Sequence, residues 1–273
     1  MMNRLRDETA GATAGAPAVD PGKMPGHWLL AKMGKRVLRP GGLELSRAML
    51  ARLAIQHADA VVEFAPGMGV TARMTLRKTP ACYTAVERDP RAAARVKRYL
   101  RGPTQRCQLG SAEQTGLPDQ SATVVYGEAM LTMQGADQKQ RIVAEAFRLL
   151  KSGGRYGIHE MTLVPDDLPL EVKQDINRTM THSIHVGTRA LTVREWRELL
   201  TAAGFQIQSE ITAPMLLLEP LRIFRDEGFF RALRFGFNVL RTPEVRRRVL
   251  AMRRTFRRQR AHIGALALVA VKP

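Results

Sequence analysis

The chain has little cysteine, no long apolar run and a shortage of acid. Its 273 residues include only Cys82 and Cys107, too few for a disulfide framework or a cysteine-held metal cluster. No stretch of about 20 apolar residues occurs, so no transmembrane helix is expected. The N-terminus lacks the apolar core of a secretory signal, and a cytoplasmic location is expected. Asp and Glu number 25 against 43 Lys and Arg, a net charge of +18. A field of that sign favours acidic partners: nucleic acid, an anionic membrane surface or an acidic substrate. It is unevenly spread. From Leu221 to Arg260 there are 13 Arg against Asp226, Glu227 and Glu244, a balance of +10. A solvated helix face in an arginine-rich chain would look the same.

What is present is an ordinary globular core, with 45% apolar residues, and one informative dozen. Val61-Val62-Glu63-Phe64-Ala65-Pro66-Gly67-Met68-Gly69-Val70-Thr71-Ala72 reads as a strand, an acid, a Gly-x-Gly turn and a helix start. Gly67 and Gly69 let the backbone turn sharply and a ligand approach closely. The helix that follows offers free N–H groups. Glu63 would repel a pyrophosphate but suits a cofactor with a cationic amino-acid end, which points to S-adenosylmethionine. The dinucleotide reading is the competitor: Gly67-x-Gly69-x-x-Ala72 with Glu87 some 20 residues on also satisfies that fingerprint. Glu63 and Pro66 stand badly where it wants an apolar strand and a first glycine.

Four further landmarks follow in order. Thr84-Ala85-Val86-Glu87 reads as a strand ending in an acid. Asp89-Pro90 then supplies an N-cap and a first helical proline, for a helix to about Leu100. Gly110 to Pro118 forms a small polar segment, Ser121 to Tyr126 a strand ending at Gly127-Glu128, and Glu145 to Tyr156 a helix, a Gly153-Gly154 turn and a fifth strand.

With these motifs the chain from about Ala58 to Pro273 resembles the class I S-adenosylmethionine-dependent methyltransferases, in particular the ubiquinone and menaquinone branch. The resemblance implies a Rossmann-like α/β fold: a mostly parallel seven-stranded sheet with helices on both faces and an antiparallel last strand. It implies cofactor contacts at Glu63, Ala65, Gly67, Gly69, Glu87, Arg88, Ser111, Ala112, Glu113 and Gly127, with Glu87 on the ribose and the Ser111 segment on the adenine. Ala65 replaces the family's first glycine and is expected to hold a negative φ. Ser111 stands where the family commonly has Asp.

Residues 1–25, rich in Ala, Gly, Pro and Thr, are expected to be a disordered tail, and 26–57 an N-terminal helical cap broken at Pro40-Gly41-Gly42. The methyltransferase domain then spans 58–273. Thr192-Val193-Arg194-Glu195 is a capping box whose helix ends at Gly204. Some fifty residues separate the sixth strand, Phe205 to about Ile211, from the last, Ile263 to Val271. This basic helical insertion, at about 214–261, is the chain's most individual feature. Val245, Val249, Met252 and Phe256 recur on one helical stripe, with arginines around the rest. The insertion is read as a lid over the cleft, a peripheral contact with an anionic membrane surface or a homodimer interface, against plain packing on the sheet.

Methyl transfer needs alignment and a dry cleft, and a base only when the acceptor carries a proton. Candidates near the strand ends are Glu128, His159, Glu160, His182 and His185. His185 and then Glu160 are the expected catalytic residues, and His159 the expected structural one. His182-x-x-His185 with Glu160 lacks a compelling third partner, and no metal is expected. Gly127-Glu128-Ala129-Met130 is not the Asn/Asp-Pro-Pro-aromatic signature of amino-group methylation, and the arginines lack interleaved stacking aromatics. Both points argue against nucleic acid. The expected activity is methyl transfer to a small, apolar or lipid-like acceptor, on oxygen before carbon or nitrogen. The alternatives are an RNA methyltransferase using the Arg-rich helix on phosphates, and a non-catalytic cofactor-binding scaffold.

Overall fold

The computed structural model describes residues 23–273, and nearly all of the expected tail lies outside them. Two helices come first, α1 (Gly26–Lys32) and α2 (Gly42–Leu53). Strands and helices then alternate: β1 (Ala60–Phe64), α3 (Val70–Leu76), β2 (Cys82–Glu87), α4 (Pro90–Lys97), β3 (Gln105–Leu109) and β4 (Ala122–Glu128). A 3-10 turn at Leu131–Met133 leads to α5 (Ala136–Leu149) and β5 (Leu150–Leu163). After α6 (Leu170–Ile184) come the two-residue β6 (Leu191–Thr192), α7 (Val193–Ala202) and β7 (Gln206–Pro214). Three helices, α8 (Pro220–Glu227), α9 (Phe229–Arg241) and α10 (Pro243–Arg258), precede β8 (Ile263–Val271).

The sheet order is β3-β2-β1-β4-β5-β8-β7, with short β6 beside β5. The first five strands are parallel, and β8 inserts antiparallel between β5 and β7. This is the expected architecture, plus β6. Alternation along each strand sends residues to opposite faces. Val62, Phe64, Val125 and Ile158 pack with Trp196 and Leu200 of α7 and Ala146 and Leu149 of α5. Val61, Tyr83, Val124 and Tyr126 meet α2 and α4 through Leu50, Leu53, Ala93 and Val96. Burying one such large side chain stabilises by about 1.5–3 kcal/mol. Trp196 is fully buried, and its indole N–H donates to the Met161 carbonyl at 3.0 Å.

Local signals explain the helix boundaries. Asp89 accepts from the Arg91 and Ala92 N–H groups, with Pro90 at the first helical position. Thr192 and Glu195 close the expected capping box, and Gly204 takes φ +95° where the chain turns back into β7. Residues 214–261, the expected helical insertion, hold three helices. A third core, beyond the carboxyl ends of the strands, joins Leu29 and Leu30 of α1, Ile176 and Met180 of α6, Phe235 of α9 and the whole α10 stripe. Among the described residues no helix is long and apolar enough to cross a membrane.

Candidate active site

The carboxyl ends of β1, β2, β4 and β5 open into one cavity of about 490 Å³. Its polar half is lined by Glu63, Ala65, Gly67, Glu87, Arg88, Ser111, Ala112 and Glu113, eight of the ten expected cofactor residues. Gly69 and Gly127 do not line it. Gly69 is the left-handed N-cap of α3, and a Cβ there would lie 2.7 Å from the Tyr99 ring. Gly127 sits inside β4, where a Cβ would come within 3.0 Å of the Met130 sulfur. Both glycines shape the turn and its packing.

The turn after β1 is held by Glu87, whose carboxylate accepts the Gly67 N–H at 2.9 Å and the Asp89 N–H at 3.0 Å. A carboxylate offers about four lone-pair directions, so two remain for ligand hydroxyls. The expected negative φ at Ala65 is not found. Ala65 takes φ +50°, and its N–H donates to the Val86 carbonyl at 2.8 Å as the chain leaves the sheet. Ser111 turns its hydroxyl onto the Glu113 N–H at 3.2 Å, and Glu113 is tied to Arg141 at 2.8 Å.

Glu63 is buried and accepts the Tyr83 and Tyr126 hydroxyls on one oxygen. Burial pushes its carboxyl up to about 7, against the pull of those two hydroxyls. A cation arriving beside it would favour the charged form.

Next to Glu63 lies a group that sequence reasoning missed. Arg39, from the loop between α1 and α2, is buried, with its guanidinium on the Thr71 hydroxyl and the Glu128 carboxylate. Burial lowers it to about 10, so it stays charged at neutral pH. Only its position before Pro40-Gly41-Gly42 hinted at this. Glu128 also meets Nδ1 of fully buried His159 at 2.8 Å. The ring's Nε2 faces the Pro40 carbonyl at 2.5 Å. Both ring nitrogens face acceptors, so a proton must lie between His159 and Glu128. Burial, with help from Arg39, pushes the imidazole down to about 4. The expected structural histidine thus backs a cavity-lining acid.

The two expected catalytic residues lie elsewhere. Glu160 is fully buried and does not line the cavity. Its carboxylate collects the N–H groups of Met130, Leu131 and Thr132 at 2.9, 2.8 and 3.0 Å and the Thr132 hydroxyl at 2.7 Å. It clamps the turn after β4. His185 ends α6 at φ +55° and lines a separate recess with Asp175, Arg178 and His182. Placement near strand ends pointed to both; the fold brings neither side chain to this cavity. Among the described residues no group of three His, Cys, Asp or Glu side chains could hold a metal.

The outer half of the cavity is apolar, with Leu30, Leu38, Met161, Met180, Met215, Leu217, Met252 and Phe256 on its walls. Met252 and Phe256 belong to the stripe of α10, which therefore faces the chamber.

The donor set fits S-adenosylmethionine: Glu63 for an ammonium, Arg39 for a carboxylate, Glu87 for ribose hydroxyls and the Ser111 segment for a flat base. The comparisons with known proteins agree. A methyltransferase domain family matches residues 61–154. An uncharacterized protein of Haemophilus influenzae is 32% identical over 236 residues, which is 85% of this chain and 91% of that one. The structure of the [4+2]-cyclase SpnF superposes with a TM-score of 0.67 at 18% identity, covering 90% of this chain and 92% of that one. Geranyl diphosphate methyltransferase in complex with S-adenosylmethionine gives 0.60 at 14% identity, over 84% and 85%. Likeness at these identities is one of fold. The matched methyltransferase domain, the shared fold and a cavity with a partner for each charged end of the cofactor converge on one assignment: the chain carries a methyltransferase domain of the class I fold and is an S-adenosylmethionine-dependent methyltransferase.

Proposed function

We propose that this enzyme methylates a small, largely apolar acceptor, on a hydroxyl oxygen. The observation that carries the reading is the methionine- and leucine-lined outer chamber, walled by α1, α6 and α10 and continuous with the polar half. S-adenosylmethionine supplies a methyl already activated by a cationic sulfur, so the chain contributes alignment and exclusion of water. The apolar wall does both for an apolar acceptor. Thioethers adapt to varied shapes, and the lining methionines would accommodate a flexible or ring-bearing molecule.

Oxygen is favoured because a hydroxyl must lose a proton, and Glu128 lines the cavity with His159 behind it. In this reading the Glu128–His159 pair takes the acceptor's proton: Glu128 accepts it as the proton the pair shares moves onto Nδ1 of His159, and Arg39 holds Glu128 in place. This replaces His185 and Glu160 in the expected catalytic role. The geranyl diphosphate enzyme has a partly apolar acceptor in its name, which is compatible with the reading and does not carry it.

The test uses methyl-labelled S-adenosylmethionine, purified protein and a cell extract separated into organic, small polar and macromolecular fractions. Label in the organic fraction is expected, stable to mild acid as an ether would be. Label confined to the polar fraction would overturn the apolar acceptor. Label in macromolecules would favour RNA or protein, and cofactor binding with no label anywhere would favour a scaffold.

A further inference from the structure

The two long helices of the insertion bury their apolar residues differently. α10 turns Val245, Val249, Met252 and Phe256 inward and leaves arginines outside. This is the helix whose sequence reads as a membrane-binding one, and its apolar stripe is spent on the chamber. α9 also turns a stripe inward, Ala232, Phe235 and Val239. It carries a second stripe that stays largely exposed, Phe230, Leu233, Phe237 and Leu240, at steps of three, four and three, with the Arg241 guanidinium over the Phe237 ring at 5.2 Å. Phe230 is 84% exposed and Leu240 63%.

The patch continues across the corner into α8. Leu221 there is 79% exposed. The rings of Phe224 and Phe229 lie 5.9 Å apart, and Phe229 meets Phe230 edge-on at 5.6 Å. Scattered exposed apolar residues need no explanation, but a contiguous group of this size marks an interaction site.

Charge selects the partner. The exposed charges on α8 and α9 are Arg225, Arg231, Arg234 and Arg241, all positive. The two acids of these helices are buried, Glu227 bonded to the loop before α2 and Asp226 to the first turn of α2. A second copy of the chain would bring the same arginines against each other. RNA would take the arginines but leave the leucines in water. A surface with phosphates above and acyl chains below satisfies both sets at once.

We propose that the outer face of α8 and α9 docks on an anionic lipid bilayer, with Phe230, Leu233, Phe237 and Leu240 among the acyl chains and the four arginines on lipid phosphates. The docked helices are joined to the chamber. α9 packs on α10, whose Met252 and Phe256 line it, and Asn238 donates to the Met33 carbonyl at 2.9 Å. Docking therefore sets the chamber beside the phase that holds apolar molecules. It extends the acceptor reading but is tested without it.

The experiment incubates the purified full chain with sedimentable vesicles of phosphatidylcholine alone or with about a third phosphatidylglycerol. Preference for the anionic vesicles by about tenfold or more is expected, falling as salt rises. F230E/F237E should cut that binding by about tenfold, with melting temperature and S-adenosylmethionine affinity unchanged because both rings are exposed. L221E/L240E is the second pair and should do the same. Equal sedimentation with neutral and anionic vesicles would overturn the proposal, as would undiminished binding by both pairs. A wild-type dimer that either pair converts to monomer would assign the patch to a second copy instead. The labelling experiment scores the acceptor separately: label in the polar fraction with vesicle binding intact would remove the acceptor reading and leave the docking surface standing.

Discussion

The carboxylate of Asp226 is seated against the bare α-carbon of Gly42, so closely that a Cβ on Gly42 would lie 2.6 Å from both carboxylate oxygens. Asp226 also accepts the Leu43 N–H at 2.9 Å. Its neighbour Glu227 accepts the Arg36 and Val37 N–H groups at 2.7 and 2.8 Å. Two adjacent acids at the end of α8 thus pin the loop that carries Leu38, Arg39 and Pro40 into the cavity.

Gly42 holds φ +65°, so alanine there meets both a backbone penalty and the carboxylate. Gly42→Ala should destabilise by about 2–4 kcal/mol, combining left-handed strain of about 1–2 kcal/mol with loss of the buried contact. Gly153→Ala is the control, at φ +76° with nothing within 4 Å of a Cβ, and should cost only the strain. Thermal melting of the two variants checks this; equal losses would dismiss the seat.

Ala65 predicts the reverse. It holds φ +50°, a conformation that glycine reaches without strain. Ala65→Gly should stabilise by about 0.5–1 kcal/mol, read as a higher denaturation midpoint, with cofactor affinity kept or improved. A lower midpoint would show that the methyl earns more by packing than it loses in strain.

Glu87→Ala should weaken S-adenosylhomocysteine binding by about tenfold or more. It removes the acceptor for the Gly67 and Asp89 N–H groups along with any ribose contact, each worth about 1–3 kcal/mol. Glu87→Gln retains one acceptor oxygen and should fall between. Calorimetric titration measures both; an unchanged affinity in the alanine variant would refute the ribose assignment.

Glu63 makes cofactor binding depend on pH. Its folded carboxyl lies at about 7, raised by burial from an ordinary 4.5. Between those values the folded state binds more protons than the unfolded one, so this group's contribution to stability falls as pH rises. A cationic ammonium beside Glu63 favours its ionised form, so affinity should rise from pH 6 to pH 8 by up to about tenfold. Glu63→Gln should flatten both trends. A wild-type affinity independent of pH would place the ammonium elsewhere.

Glu160 and Glu128 should separate under substitution. Glu160→Ala leaves three buried N–H groups without their acceptor and should cost about 3 kcal/mol or more of stability. Glu128→Gln should keep the fold and S-adenosylmethionine binding while lowering kcat on the acceptor by about 10²–10⁴-fold, with the loss changing across pH as general-base catalysis requires. Unaltered turnover in Glu128→Gln would favour an acceptor that needs no base.

Much was legible in the sequence because it is local. The turn after β1, the capped helix at Asp89, the capping box at Thr192 and the stripe of α10 each rest on contacts within a few residues, and such signals survive in one dimension. They determined the fold and the cofactor, and the family resemblance picked out eight residues that line the cavity. Side-chain direction was not legible. Glu160 and Glu128 both stand near strand ends, and only the assembled sheet aims one at backbone amides and the other at the cavity. Nor could the sequence join Arg39 to Glu128 or Gly42 to Asp226, because those pairings form only when the helices between β7 and β8 close over the N-terminal loop. The same closure decided which amphipathic helix is spent on the chamber and which still faces outward. A helix with two apolar stripes has one inner side, and the tertiary structure alone determines which stripe takes it.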